Sequence, residues 1–247
     1  MMKVEQSQSR RETMMNILSI DTSTPTLSIA FQTDNSYEER IIDGNFSHSE
    51  DLLAEIESII KRANSKIQDL DLLVCTRGPG SFTGLRVGMA TLKGFSSALG
   101  IPLVSVGTLE AAERTIGFCR GKVLTVIDAR KKRYYLRLSE DGQLLMDEID
   151  GNVDDVIRHL KDGDRLTVTG PDAKVFASKL KDAMPSIDII IDDMAPRNLS
   201  KAMINLALKQ LEEIGPDDIG QGPVYIRRSD AEEALLKRME EGEANEV

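Results

Sequence analysis

Residues 75–88 of this 247-residue chain read CTRGPGSFTGLRVG, a glycine-rich turn that follows an apolar run and leads into a helical pattern. Gly78 and Gly80 allow positive φ angles and a close approach of other backbone, and Ser81 or Thr83 is suited to cap the helix. The amide groups at a helix N-terminus attract anions, so a phosphate or carboxylate fits this turn. The lysine and hydroxyl that end a P-loop are absent. The residues alone therefore leave two interpretations open, a structural turn and an anion site.

The segments on both sides of this turn form an α/β pattern that occurs twice. Apolar runs and alternation predict strands, whereas apolar residues at helical spacing predict helices. In the first half the predicted strands are 16–21, 26–32, 37–42, 72–76 and 101–106, and the predicted helices are 47–63, with a capping box at 47–50, and 84–99. In the second half the predicted strands are 123–128, 134–138, 143–149, 166–170 and 187–191, and the predicted helices are 153–160, 173–184 and 199–214.

The predicted fold class is thus α/β, with the order βββαβα in each of two halves. Two such halves favour a ligand cleft at their junction, near residues 106–122; two halves without a functional cleft are the alternative. We expect a first half at 14–112 and a second half at 113–228. We expect residues 1–13 to be a disordered extension, polar and without the apolar stretch of a secretory signal, and residues 229–247 to be an acidic tail with the composition of disordered segments.

The composition limits the function classes. The formal net charge of −10 argues against a protein that grips nucleic acid mainly by neutralising phosphates, although it leaves room for a small basic patch. The two cysteines, Cys75 and Cys119, lack any metal-binding spacing and fit a reducing cytosol. No apolar run approaches the length of a membrane span. We therefore expect a cytoplasmic protein that does not enter a membrane.

Acidic residues follow the first strand of each half. Asp21 is followed by the hydroxyl residues Thr22 and Ser23, a combination that suits Mg²⁺–phosphate contact, and Asp128 occupies the equivalent place in the second half. An Asx-type turn is the alternative interpretation. If both strand ends open on the cleft, the two aspartates face each other across it. Together with Gly78, Gly80 and Ser81, these residues are the candidate site for a nucleotide or another anion.

The histidines give no support to a metal or catalytic site. His48 falls in the predicted helix cap and His159 falls late in a helix, far apart in sequence and without ligand partners nearby. A zinc site and a Ser-His-Asp triad are therefore both disfavoured.

Two predicted helices carry candidate contact surfaces. Gly84 and Gly88 lie one turn apart, with Thr91 near the same face, and small residues at this spacing let another backbone come close. The close neighbour is either the chain's own sheet or a partner helix. The helix at 52–60 has adjacent apolar pairs, which give it a broad apolar stripe.

Several motifs resemble one known family. They are ILSIDTS (17–23), HSE (48–50), the stretch 77–88, GTLE (107–110), IDAR (127–130) and PVYIR (223–227). In this order and over most of the chain they are similar to the TsaB family, whose fold is of the ASKHA (actin, Hsp70 and sugar kinase) class. The resemblance implies a subunit that binds the catalytic paralogue TsaD, with the ATPase TsaE as a further partner. It implies a role in N6-threonylcarbamoylation of adenosine 37 in tRNAs that read ANN codons.

The resemblance also implies where a partner binds. In this family two helices pack against the paralogue as a four-helix bundle, and here they correspond to 47–63 and 82–99. The implied interface residues are Leu52, Leu53, Ile56, Thr83, Gly84, Val87, Gly88 and Thr91. A homodimer through the same face is expected when the paralogue is missing. We expect tRNA to be bound only through the complex.

The chain departs from the catalytic paralogue at one decisive place. Thr108 and Ala112 stand where TsaD has two metal-binding histidines, and neither replaces an imidazole ligand. We therefore expect no catalytic residue, no metal and no cofactor of its own, with ATP or ADP at most at the partner junction. An autonomous ATPase of the ASKHA fold and a glycoprotease-type metallopeptidase are the alternatives.

Overall fold

A computed structural model describes residues 15–43, 51–117, 119, 121–192 and 199–227. The first half contains five strands and three helices. In chain order they are β1 (Ile17–Asp21), β2 (Leu27–Gln32), β3 (Tyr37–Ile42), α1 (Leu52–Arg62), β4 (Leu72–Gly78), α2 (Phe82–Leu99), β5 (Leu103–Gly107) and α3 (Thr108–Thr115). The predicted capping box at 47–50 lies outside the described residues.

The second half repeats the same order. Its elements are β6 (Lys122–Asp128), β7 (Tyr134–Glu140), β8 (Gln143–Gly151), α4 (Val153–Ile157), β9 (Arg165–Thr169), α5 (Ala173–Ala183), β10 (Asp188–Ile191) and α6 (Leu199–Glu213). The strand orders β3-β2-β1-β4-β5 and β8-β7-β6-β9-β10 correspond position by position. In both sheets the first three strands are antiparallel and the last two are added in parallel.

This repeat confirms the predicted ASKHA fold class. Each half is longer than βββαβα, because a fifth strand and a third helix complete it. Helix α3 was not predicted, since TLEAAERT offers few large apolar residues and its stretch was assigned to the junction. This helix continues across residue 112, the predicted end of the first half. The domain boundaries themselves stay a prediction.

The core consists of apolar layers on both faces of each sheet. Along β1 and β4, alternate residues point to opposite faces, as the pleat of a strand requires. One face of the first sheet packs against α1 and α2, and its other face packs against α6. The second sheet is covered by α4 and α5 on one face, and α3 lies against β6 and β7. Because α3 and α6 also contact each other, they form the layer that joins the two halves.

The second helix begins and ends as its sequence predicts. The Ser81 hydroxyl accepts a hydrogen bond from the Gly84 amide at 3.2 Å, which caps the first turn. The helix ends at Gly100, whose φ of 70° lies in the left-handed region. Within the described part of the chain, no helix has both the length and the apolar composition that crossing a bilayer requires.

Candidate functional site

The glycine loop, residues 77–84, is built against the turn that follows β1. The Ser81 amide donates to the Ser23 carbonyl at 2.7 Å. A Cβ atom on Gly80 would lie 2.5 Å from the same carbonyl oxygen, a distance that no side chain tolerates. The loop therefore requires glycine at this position because two stretches of backbone meet there.

Helix α2 uses its first glycines in the same way. A Cβ on Gly84 would overlap the Thr22 carbonyl, and one on Gly88 would overlap the Thr22 hydroxyl. That hydroxyl donates to the Gly84 carbonyl at 2.7 Å, in the buried contact between the helix and the turn. Gly84 and Gly88 thus pack against Thr22 of the chain itself. Of the two close neighbours that the sequence allowed, the chain's own fold or a partner helix, the first is the one these two glycines meet.

This packing buries four of the predicted interface residues within the chain's own fold, and the partner interface itself stays a prediction. Gly84 and Gly88 are buried under Thr22, and Leu52 and Ile56 are buried in the core between α1 and the first sheet. None of these four side-chain positions is available to a partner in the folded chain. The physical reason is that an amphipathic helix buries its apolar stripe against its own sheet first.

The remaining predicted interface residues are exposed or partly exposed, although Val87 also packs against the core below α2. Leu53 on α1 is 57% exposed. On α2, Thr83 is exposed, and Val87 and Thr91 are partly exposed. Small exposed residues that sequence reasoning missed continue this face, namely Ala90, Gly94 and Ser97. We call the line formed by Thr83, Val87, Ala90, Gly94 and Ser97 the α2 stripe. Its spacing of alternating four and three residues is that of a helix–helix contact seam.

The two predicted aspartates form matching Asx turns. Asp21 accepts a hydrogen bond from the Ser23 amide at 3.0 Å, and Asp128 accepts one from the Arg130 amide at 2.9 Å. Asp21 also accepts from the Thr76 hydroxyl at 2.7 Å and is fully buried, whereas Asp128 is exposed. The two equivalent strand ends therefore have the same local turn in different surroundings.

A cavity of about 620 Å³ lies between the two halves and is lined by residues of both, none of them in the range 106–122 where the sequence predicted the cleft. Of the predicted nucleotide or anion residues, it is lined by Ser23, Gly80, Ser81 and Asp128. Its other lining residues are Thr24, Pro25, Thr26, Phe82, Ile127, Ala129, Arg130, Lys131, Tyr135, Pro171, Asp172 and Arg227. Burial raises the pKa of the Asp172 carboxyl, which accepts a hydrogen bond from the Asp128 amide at 2.7 Å.

The other three predicted anion residues do not line this cavity. Asp21 lines a second, inner cavity of about 240 Å³. Thr22 is occupied by its contact with α2, and Gly78, at a φ of 114°, packs against the Val224 carbonyl. The two aspartates thus line different cavities, which share Thr24, Thr26, Ile127 and Pro171, and their facing each other across one cleft stays a prediction. Nucleotide or anion binding itself stays a prediction.

A C-terminal segment, residues 216–227, fastens the glycine loop to both halves, and we call it the strap. The Val224 amide donates to the Arg77 carbonyl at 2.7 Å, and the Lys93 ammonium donates to carbonyls of the strap. Beyond these contacts, Arg227 donates to the Ala129 carbonyl in the second half at 3.2 Å. The strap thus ends at the rim of the large cavity.

The strap also completes an aromatic cluster at the start of α2. The rings of Phe82 and Tyr225 stack with centroids 4.5 Å apart. The Arg86 guanidinium lies 5.4 Å from the Tyr225 ring centroid and donates to its hydroxyl at 2.8 Å. The cluster lies beside the α2 stripe. The sequence alone does not predict it, because 139 positions separate Arg86 from Tyr225.

Two titratable groups near the loop have raised pKa values, the buried Cys75 thiol and the half-buried Glu148 carboxyl. Burial raises the pKa of the Cys75 thiol to about 12, with the charges of Asp217 and Asp21 adding to the effect, so that the thiol stays protonated. Burial also raises the pKa of Glu148 to about 7, even though Arg137 lies close enough to oppose the shift. Glu148 is near Gly107, where β5 passes into α3.

The chain is similar in sequence to several known proteins. Residues 45–210 match the family model described as TsaD, tRNA N6-adenosine threonylcarbamoyltransferase. The chain is 30% identical over 224 residues to the tRNA threonylcarbamoyladenosine biosynthesis protein TsaB of Bacillus subtilis (strain 168), an alignment that covers 88% of this chain and 96% of that protein. The chain belongs to the TsaB family. The TsaB of Escherichia coli (strain K12) is 33% identical over 125 residues, which is 49% of this chain and 53% of that protein.

Solved structures agree with the TsaB assignment at the level of the fold. The structure described as YeaZ from Pseudomonas aeruginosa has a TM-score of 0.70 and 21% sequence identity, and covers 86% of this chain and 100% of its own. The predicted family is thereby confirmed by sequence and its fold by structure.

The two positions at which the resemblance implies a departure from TsaD, Thr108 and Ala112, lie in the inner cavity. Thr108 and Ala112 both line it, one turn apart at the start of α3. Thr108 is buried, and no described residue hydrogen-bonds its hydroxyl. A hydroxyl and a methyl group are poor substitutes for two imidazoles as transition-metal ligands. No cluster of three or more His, Cys, Asp or Glu side chains suited to a metal occurs in the described ranges.

Proposed function

We propose that this protein is a non-catalytic subunit in tRNA threonylcarbamoyladenosine biosynthesis and that it binds a TsaD-type catalytic paralogue through the outer faces of α1 and α2. The relatives named TsaB support a role in this biosynthetic process. In this proposal a TsaE-type ATPase joins the complex, ATP or ADP binds at most at the partner junction, and tRNA is recognised by the assembly. The subunit acts in the cytoplasm.

The observation that carries the proposal is Gly94. This glycine lies in the middle of α2, where glycine costs roughly 1 kcal/mol relative to alanine. Unlike Gly84 and Gly88, it has nothing within 4 Å of the position a Cβ would take. The chain's own packing therefore does not require glycine here. A second backbone that approaches the α2 stripe closely would require it.

The neighbouring helix supports the same surface. Leu53 is a large apolar side chain, 57% exposed, on the helix that shares the first apolar layer with α2. One exposed leucine is ordinary in a soluble protein. On a helix that covers the same face of the sheet as α2, this leucine can serve as a knob that a partner helix encloses, as in helix bundles.

The proposed lack of catalysis rests on residue chemistry. Thr108 and Ala112 cannot hold the metal that the paralogue's histidines hold. A metal-activated water is therefore not expected at the inner cavity, and this is the reason for preferring a subunit to a metallopeptidase.

The test is binding of Gly94→Arg to the TsaD-type paralogue of the same organism. We expect at least a hundredfold loss of affinity, because a long cation would occupy the closest point of the seam. The thermal midpoint of the free chain should not fall, since a Cβ at this exposed position meets no atom within 4 Å and arginine is a better helix former than glycine. Ser178→Arg, on the exposed face of the equivalent helix α5, is the matched control and should bind like the wild type.

Co-expression followed by size-exclusion chromatography and a tRNA modification assay completes the test. Wild type and Ser178→Arg should co-elute with the paralogue and support modification, whereas Gly94→Arg should do neither. Unchanged co-elution of Gly94→Arg would contradict the proposed surface. Full modification activity of the paralogue without this chain would contradict the proposed role.

A further inference from the structure

A basic turn joins β6 to β7 at the rim of the large cavity. It consists of Arg130, Lys131, Lys132 and Arg133, four consecutive cations in a protein whose net charge is −10. The first three are exposed. Arg130 and Lys131 line the cavity, whereas Arg133 is bound to Asp150, with Nε and Oδ1 2.8 Å apart.

The backbone of this turn is unusual for such residues. Arg130, Lys131 and Lys132 have φ angles of 66°, 53° and 62°, so that three successive residues with side chains adopt the left-handed conformation. Glycine, asparagine and aspartate take this conformation most easily, and long side chains are disfavoured in it. The turn is held by the Asp128 carboxylate, which accepts from the Arg130 amide, and by a hydrogen bond from the Ala129 amide to the Arg133 carbonyl. Long cationic side chains occur in this turn although its backbone conformation disfavours them, which indicates that their positive charges have a function.

The charge around the turn is locally positive. Arg227, at the end of the strap, adds a further cation on the same cavity, and Asp128 and Asp172 are the carboxylates among the lining residues. Three lining cations, Arg130, Lys131 and Arg227, thus stand against two lining carboxylates, and the exposed Lys132 adds a fourth cation in the same turn. The rim therefore attracts anions although the protein as a whole repels them.

The position of the turn limits what the anion can be. Phe82, the first residue of α2, lines the same cavity as Lys131. A long polyanion that lies on the basic turn would thus pass beside the first turn of the proposed partner helix. Phosphodiesters of an RNA bound to the assembled complex meet this requirement, because their charge continues past the cavity.

We propose that the basic turn, residues 130–133, contacts tRNA phosphates in the assembled complex. The inference rests on the proposed function, since it needs the partner to supply the rest of the RNA surface. Contacts of this kind position an RNA without reading its sequence. They also make affinity fall with rising salt, as bound counterions are released.

The test uses the complex of the full chain with its TsaD-type paralogue and a labelled tRNA that reads an ANN codon. The variant is Lys131→Asn combined with Lys132→Gly, which removes two cations and installs residues that adopt left-handed φ angles readily. Affinity is measured between 50 and 200 mM KCl. We expect roughly tenfold weaker binding at the upper salt concentrations, and a plot of log affinity against log salt that is shallower by about one unit for each lost phosphate contact.

The free chain should keep its thermal midpoint or gain stability in this variant, so that weaker RNA binding cannot be attributed to unfolding. Lys161→Gln combined with Lys174→Gln removes two exposed cations elsewhere on the second half. This control should leave both the affinity and the salt slope unchanged.

Three results would overturn the inference. The first is an unchanged affinity and slope for the Lys131 and Lys132 variant while it still co-elutes with the paralogue. The second is an equal loss in the control. The third is a loss of ATP or ADP binding, measured by calorimetry, with tRNA affinity retained, which would assign the turn to a free nucleotide. Failure of the wild type to form the complex would instead contradict the proposed function itself, so the two failures are distinguishable.

Discussion

Two glycines of α2 show how the surroundings of a single residue decide its role. Gly88 has no room for a Cβ because the Thr22 hydroxyl occupies that space, whereas Gly94 faces open space. Alanine is the better helix former at both positions by roughly 1 kcal/mol. Gly94→Ala should therefore raise the free energy of unfolding by about 0.5–1 kcal/mol, while Gly88→Ala should lower it by about 1–3 kcal/mol through overpacking. Urea denaturation of the two variants measures this difference, and a change of the same sign at both positions would contradict the proposed packing.

Glu148 is a residue whose charge should make stability depend on pH. Burial raises its pKa to about 7, above the ordinary value of 4.5. Between these two pH values the folded chain keeps a proton that the unfolded chain has lost. The contribution of Glu148 to stability is thus largest below about pH 4.5 and is lost as the pH rises to 7.

Glu148→Gln should remove this dependence. As the pH rises from 5 to 8, the free energy of unfolding of the variant should increase by about 2–3 kcal/mol relative to that of the wild type. Each pKa unit corresponds to about 1.36 kcal/mol. Denaturation at the two pH values measures the gain, and Glu57→Gln, at an exposed position of α1, is the control. A gain that is equal at both pH values would show that Glu148 is not held protonated by the fold.

At the scale of the elements, local pattern was sufficient for most strands and for the long helices. The strands β1, β2 and β6 alternate or run continuously apolar, so their bounds could be predicted within one residue. Helix α3 was missed because Leu109 is the one large apolar side chain among its buried residues, a pattern too weak for periodicity to detect. Its stability comes from the layer it forms with α6, which is a property of the whole fold.

The same limit applied to the candidate site. The sequence identified the glycine loop and the helices α1 and α2, and it offered the Asx turn as one of two interpretations of the aspartates, because these depend on residue type over a few positions. It could not decide which apolar residue of the adjacent pair Leu52 and Leu53 faces outward. It also could not separate the glycines that meet Thr22 from Gly94, because Thr22 lies more than 60 positions away in the chain. The strap and its aromatic cluster likewise depend on contacts between distant segments.

At the scale of the whole molecule, one surface is proposed to serve two partners. The outer faces of α1 and α2 expose Leu53 and the α2 stripe, and such a surface tends to self-associate when its proper partner is missing. We therefore predict a concentration-dependent homodimer of the isolated chain that the TsaD-type paralogue dissociates, since both complexes use the same seam.

Sedimentation velocity of the free chain, followed by titration with the paralogue, measures this competition. The homodimer fraction should rise with protein concentration and fall as the heterodimer forms, because a helix face that is enclosed by one partner cannot be enclosed by another. Gly94→Arg should be monomeric at every concentration, whereas Ser178→Arg should dimerise like the wild type. A homodimer that persists in Gly94→Arg, or that binds the paralogue without dissociating, would mean that self-association uses a different face and that α1 and α2 serve the heterodimer alone.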